Sequence, residues 1–144
     1  MMTVDEIMTS NPVTLSEDDT LSSAARLMAE RGFRHIPIVD AQGGLVGLVT
    51  QTDVLAASRS RLSEVLADRA PGDALISEFM TRDVSAVDER AGMREAALYL
   101  QRHKYGCLPV VTDGKLKGIV TDSDFVAVAI NLLEQWELSQ PEEL

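Results

Sequence analysis

Apolar and polar positions along the chain follow two periods, and the two periods take turns. Leu21, Ala24, Ala25 and Met28 follow the i, i+3, i+4, i+7 spacing that puts apolar side chains on one face of a helix. Met93, Ala96, Ala97 and Leu100 do the same in the second half. The alanines let each helix lie close to a sheet. After each helix come two short apolar runs, residues 36–39 and 45–49, then 108–111 and 116–120. Gly43 and Gly44 divide the first pair, Asp113 and Gly114 the second, and Asp-Gly between apolar runs signals a hairpin. Pro37 and Pro109 donate no backbone hydrogen bond, so they belong at a strand start or edge. Short extended pieces, residues 12–15 and 84–87, precede the helices. Glu17, Asp18 and Asp19, and likewise Asp88 and Glu89, are expected at the helix starts, where the N-terminal end favours negative charge. A second helix is expected to begin near Asp53 and again near Asp124.

This succession is an internal repeat. Glu6, Met8 and Thr9 recur 72 residues later as Glu78, Met80 and Thr81. Glu17 recurs as Glu89, Ala24 and Ala25 as Ala96 and Ala97, and Pro37 and Val39 as Pro109 and Val111. After a turn one residue shorter, Gly47, Val49, Thr50 and Asp53 match Gly118, Val120, Thr121 and Asp124. Such an ordered series with a single deletion marks a duplication.

Composition narrows the function classes. The chain has 144 residues, 45% apolar but only 4% aromatic, with a formal charge of -10. The apolar share is that of a folded protein whose core is Val, Leu, Ile, Ala and Met. The charge speaks against a general nucleic-acid binder, which needs a basic face. It leaves room for a small anion in a locally positive pocket. The single cysteine, Cys107, excludes an intramolecular disulfide and makes the cytoplasm the simplest location. The first residues have neither the charge nor the apolar core of a signal peptide, and no apolar run reaches the roughly 18–20 residues of a membrane span. The two histidines, His35 and His103, lack neighbours at metal-ligand spacing, so no metal site is expected. Motifs for phosphate-loop, serine-hydrolase or zinc-protease chemistry are missing, and no enzyme activity is expected.

The strongest candidate chemistry is Thr50, Thr52 and Asp53 after an apolar strand, echoed by Thr121, Ser123 and Asp124. A hydroxyl and free N–H groups at a helix N-terminus make a phosphate cradle. A carboxylate beside them can accept both hydroxyls of a ribose. Asp at a helix start also serves as a plain N-cap, and one isolated T-x-x-D would mean no more than that. Duplication of the whole Gly–strand–Thr–Asp context favours the ligand reading. Cys107 reads as a small buried apolar group. Met8 and Met80 read as core or cleft wall. Phe33 and Tyr105 occupy matching positions that suit either a cleft border or core packing.

These residues resemble a tandem pair of CBS domains, a family named after cystathionine beta-synthase. The resemblance rests on Glu6-Ile7-Met8-Thr9 with Asn11-Pro12-Val13-Thr14, on the run from Arg34 to Val39, and on that from Gly47 to Asp53. In the second copy it rests on Glu78 to Thr81, Gly106 to Val111 and Gly118 to Asp124. The layout is that of short stand-alone bacterial members. The resemblance implies a mixed α/β (α+β) fold of two β-α-β-β-α units packed about a pseudo-twofold axis. The units are expected at residues 4–58 and 76–130, with a linker and helix end at 59–75 and a C-terminal helix extension and tail at 131–144.

The resemblance further implies two clefts for adenosine ligands, AMP, ADP or ATP foremost, with S-adenosylmethionine or NAD as alternatives and no required cofactor. One cleft would join Thr121, Ser123 and Asp124 to Asn11, Val13, Phe33, Arg34 and Ile36. The other would join Thr50, Thr52 and Asp53 to Asp83, Val84, Ser85, Tyr105, Gly106 and Leu108. The first has Arg34, with His35 beside it, to pair with phosphate. The other has uncharged Gly106 and Cys107 there, and Asp83 where the first has Asn11. The Asp124 cleft is therefore expected to be the better nucleotide site. The expected function is a regulatory module that passes a conformational change to a partner protein. A structural or protein-interaction module with empty clefts is the alternative.

Residues 125–133 are apolar almost all round, which marks a helix buried on more than one side. A homodimer through helices near residues 53–67 and 124–138 is expected, extended by Trp136 and Leu138.

Overall fold

The computed structural model of the chain describes residues 2–65, 74–103 and 106–141. The chain folds as a mixed α/β structure. Helix α1 (Leu21–Arg31) is capped by Thr20, whose side chain accepts from the Ser23 N–H at 3.2 Å, and ends on Gly32 at φ +72°. The hairpin β2 (His35–Val39) and β3 (Leu45–Thr50) follows, then α2 (Gln51–Val65). The second copy repeats the order with α3 (Met93–Arg102), β4 (Cys107–Thr112), β5 (Lys115–Thr121) and α4 (Asp122–Ser139). Leu21, Ala24 and Met28 are buried, as are Met93, Ala96 and Leu100, while Ala25 and Ala97 are partly exposed.

The acidic residues lie outside the helices. Helices α1 and α3 begin at Leu21 and Met93, beyond Glu17–Asp19 and Asp88–Glu89. The Asp19 side chain accepts from the Ser16 N–H at 2.7 Å, and Asp88 accepts from the Thr112 hydroxyl at 2.9 Å. The carboxylates therefore close the turns ahead of each helix.

The two copies exchange their leading segments. Val4–Glu6 forms a 3₁₀ turn whose Val4 and Asp5 N–H groups donate to the Ala91 and Glu89 carbonyls of copy two, at 2.9 and 3.1 Å. Ile76–Glu78 does the reverse, with Ile76 and Ser77 donating to Asp19 and Glu17 of copy one, at 2.8 and 3.1 Å. Strand β1 (Thr9–Ser10) then pairs with β5, giving a sheet of order β1-β5-β4, and Thr81 bridges to Leu48 of β3. Each chain segment afterwards returns to its own copy: Leu15 bridges to Ile38 and Val87 to Val110. Pro37 and Pro109 stand inside these strands on their outer sides, offering only carbonyls to the Leu15 and Val87 N–H groups, at 3.2 and 3.0 Å.

The cores follow the exchange. Ala74, Ile76 and Met80 complete the core of α1, α2, β2 and β3. Val4 completes that of α3, β4 and β5. Leu48, Cys107 and Ile119 meet where the halves join.

Candidate functional site

Among the described residues, the wall of a large cavity is built by both copies. It has a volume of about 500 Å³. Copy two supplies the start of α4, with Thr121, Asp122 and Ser123, together with Ile119 and Gly106. Copy one supplies Thr9 and Asn11–Val13 from the crossed segment. The turn after α1 and the first half of β2 add Gly32, Phe33, Arg34, His35 and Pro37. Asn11 reaches this place in a left-handed conformation, φ 49°, with its N–H donating to the Lys117 carbonyl at 3.1 Å.

Strand alternation decides which β2 side chains enter. His35 and Pro37 face the cavity, whereas Ile36 is wholly buried in the core of copy one. Ile36, expected in this cleft, is not among its lining residues, and Leu108, expected in the other, lies buried in the other core. Gly106 is also reassigned: it lines the large cavity, not the opposite one. Its φ is +75°, and a Cβ there would lie 3.3 Å from Asp122 Oδ2 and 3.4 Å from His35 Nε2. The backbone, Asp122 and His35 thus converge at one end of the cavity.

The T-x-x-D elements form capping boxes. The helices begin two residues before Asp53 and Asp124, and each Thr is the residue just ahead of its helix. Asp124 Oδ2 accepts from the Thr121 N–H at 2.8 Å and the Thr121 hydroxyl at 3.4 Å. Asp53 Oδ2 accepts from the Thr50 N–H at 2.9 Å and from the Thr81 hydroxyl of the other copy at 3.2 Å, while the Thr50 hydroxyl accepts from the Asp53 N–H at 3.1 Å. Both Asp side chains are engaged in closing the helix starts. Neither is among the lining residues, nor are Thr50 and Thr52.

Among the described residues, the opposite cleft is a slot of about 10 Å³, lined by Leu48, Thr81, Val84, Ser85, Tyr99 and Cys107. Val84 and Ser85 do meet there. Tyr105 lies outside the described residues. Cys107 stands in the repeat where His35 stands in the first copy, and it is 2% exposed. Burial, with the nearby Asp122 charge adding to it, pushes its thiol up to about 12. It is a buried neutral group.

Sequence reasoning passed over Thr9, Pro12, Gly32, Pro37, Ile119 and Asp122. Period-two alternation from His35 was the signal for Pro37. The crossing of the leading segments, which brings Thr9 beside Ile119, leaves no local mark. Among the described residues, no three His, Cys, Asp or Glu side chains converge as metal ligands, and no helix is long and apolar enough to cross a membrane.

A cleft made jointly by two copies of one unit directs attention to families of paired repeats. The CBS domain model matches residues 4–60 and 76–131. The chain belongs to the CBS domain family. Its CBS pair is similar to a candidate acetoin utilization protein, AcuB, from Vibrio cholerae, at 46% identity and TM-score 0.83, over 98% of this chain and 99% of that one. It is similar to CBSX2, solved in complex with AMP, at 28% identity and TM-score 0.79, over 92% and 98% of the two chains. The CBS pair of MJ0100, solved with 5′-methylthioadenosine and S-adenosyl-L-methionine, is similar at 26% identity and TM-score 0.76, over 92% and 98%. Among curated proteins, MJ1225 of Methanocaldococcus jannaschii is 31% identical over 123 residues, which are 85% of this chain and 41% of that one. A homoserine O-acetyltransferase of Methanocorpusculum labreanum is 31% identical over 112 residues, 78% and 21% of the two. The chain thus spans about a fifth to two fifths of these curated relatives.

Proposed function

We propose that this CBS pair is a regulatory, non-catalytic module that binds one adenosine ligand per chain in the cavity between Asn11, Arg34 and Ser123. The observation that carries this reading is the 500 Å³ cleft walled by both copies. A nucleoside held across it touches both halves, so its binding energy can bias how they sit together. Arg34 provides the charge for a phosphate. Asn11, Thr121 and Ser123 provide hydrogen-bonding groups, and Phe33 an aromatic border. The AMP in CBSX2 and the 5′-methylthioadenosine and S-adenosyl-L-methionine in the MJ0100 pair support the ligand class. The Asp53 side is the poorer site, because its slot holds about 10 Å³.

The module acts on a partner protein from the cytoplasm as a homodimer. The outward face of α4 supports the dimer: Val126, Ile130, Leu133 and Trp136 are all more than half exposed, and Leu55 of α2 is 53% exposed. An isolated apolar residue on a surface is ordinary; a row of them along one helix is an interface in waiting.

Thermal unfolding against AMP, ADP, ATP, S-adenosylmethionine and NAD tests the ligand. Ligand at 100 times its dissociation constant adds about 2.7 kcal/mol of stability. A clear rise in midpoint with an adenosine compound is expected. No rise with any of them would leave a protein-interaction module as the reading.

A further inference from the structure

We infer that Asp122 makes the large cleft charge-selective, so that it accepts an adenine nucleoside with at most one phosphate and rejects the triphosphate. This rests on the adenosine reading above and names the charge class of its ligand.

Three observations lead to it. The first is position. Asp122 is the first residue of α4, it lines the cavity, and its Oδ2 lies 3.3 Å from where a Gly106 Cβ would stand. In copy one the corresponding residue is Gln51, which is neutral. The charge at this place is thus peculiar to the large cleft.

The second is the state of the helix end. The positive N-terminal end of a helix ordinarily attracts phosphate. Here Asp122 and Asp124 both stand in the first turn of α4, and the Asp122 N–H donates to the Gly106 carbonyl at 3.2 Å. Two carboxylates offset the field that a phosphate would use. Phosphate attraction therefore falls to the side groups of copy one, Arg34 and His35, the only cationic or titratable nitrogen groups among the described lining residues.

The third is that the Asp122 charge extends beyond the cavity wall, to the buried Cys107 of the opposite slot. It contributes, after burial, to the raised pKa of the Cys107 thiol. A charge felt by a buried thiol is felt by a ligand in the cavity. Arg34 comes from copy one and Asp122 from copy two, so the cavity receives one charge of each sign from different parts of its wall. A single phosphate can sit against Arg34 at a distance from Asp122. Two further phosphates bring more negative charge into a cleft with no second arginine among its described lining residues, in a chain of net charge -10. Exposed and half-exposed charges interact through a screened, high-dielectric medium, so the discrimination is modest per charge and grows with their number.

Calorimetric titration of the whole protein with 5′-methylthioadenosine, AMP and ATP, for wild type, Asp122→Asn and Arg34→Gln, tests this. Wild type is expected to bind AMP at least ~10-fold more tightly than ATP. Asp122→Asn is expected to shift the ATP to 5′-methylthioadenosine affinity ratio ~3- to 10-fold toward ATP, an effect that shrinks in high salt. Arg34→Gln is expected to shift the AMP to 5′-methylthioadenosine ratio the other way. Wild type favouring ATP, or a ratio unchanged by Asp122→Asn in a variant that keeps its thermal midpoint, overturns the inference and leaves the adenosine reading standing. Binding of none of the three overturns both.

Discussion

Gly47 and Gly118 occupy the crossing points of the exchanged segments. A Cβ on Gly118 would stand 2.5 Å from Met8 Sδ and 2.8 Å from the Thr9 carbonyl oxygen; on Gly47 it would stand 2.8 Å from Met80 Sδ and 3.0 Å from the Thr81 carbonyl oxygen. The methionine can move aside, but the carbonyl belongs to the paired strand and cannot. Gly118→Ala is therefore expected to cost about 1–3 kcal/mol in urea unfolding, by overpacking. Thr121→Ala removes a capping hydroxyl and is expected to cost about 0.5–2 kcal/mol. Cys107 carries a pH dependence with a definite sign. Its thiol is raised from 9.0 to about 12 in the fold, so the unfolded chain loses its proton first. Stability is whole below pH 9 and falls as pH rises through the window up to about 12. Cys107→Ala should lessen that alkaline slope in unfolding measured between pH 8 and 10.5. At this scale the T-x-x-D signal was legible in sequence, but its two meanings were not separable there. The cap geometry shows that Asp53 and Asp124 hold helix starts, while only around Asp124 do the neighbours, Thr121, Asp122 and Ser123, line the large cavity.

Each leading element belongs to one repeat in sequence and to the other in space. Ile76 is fully buried in the core of α1, β2 and β3. Ile76→Ala is expected to cost about 2–5 kcal/mol. Hydrogen exchange should show faster opening in β2 and β3 as well as around the mutation. Acceleration confined to residues 93–121 would argue against the exchange. Periodicity had placed the helices and hairpins well, because one buried face is a local pattern. It could not place residues 4–10, whose apolar side chains match either core. Helix α4 shows the reverse. Its all-round apolarity was read as burial on more than one side, yet the chain by itself buries none of its residues fully. Trp136 is 61% exposed and Leu138 87%. On the dimer reading, light scattering at micromolar concentration should give twice the chain mass, and Leu133→Glu with Trp136→Glu should halve it.

The whole molecule behaves as one body because neither half has its own complete core. A unit near 60 residues buries too little surface to be robust alone, and here each also lacks the turn that its partner repeat supplies. Fragments of residues 1–72 and 73–144 are expected to be unfolded separately by circular dichroism, whereas the whole chain melts in one transition. The hairpins are joined as well, the Leu116 N–H donating to the Gly43 carbonyl at 2.9 Å. On the function proposed above, coupling of this kind lets both halves sense a ligand held between them.

The sequence by itself determined the repeat, the helix and hairpin order, the family and the existence of a cleft with unequal partners. The repeat and the element order follow from local periodicity and one pattern written twice, whereas the family and its clefts were what the resemblance of the motifs implied. Tertiary structure decided which cleft is open, which side chains enter it and where its charge lies. Ile36 and Leu108 turn into the cores because strand alternation is fixed by which face meets a helix. Gly106 and Asp122 enter the large cavity because the two halves pack through crossed segments. His35 in one copy keeps that cavity polar where Cys107 in the other closes into a small apolar contact. None of this is carried by neighbours in sequence; it arises where residues some 70–110 positions apart share one wall.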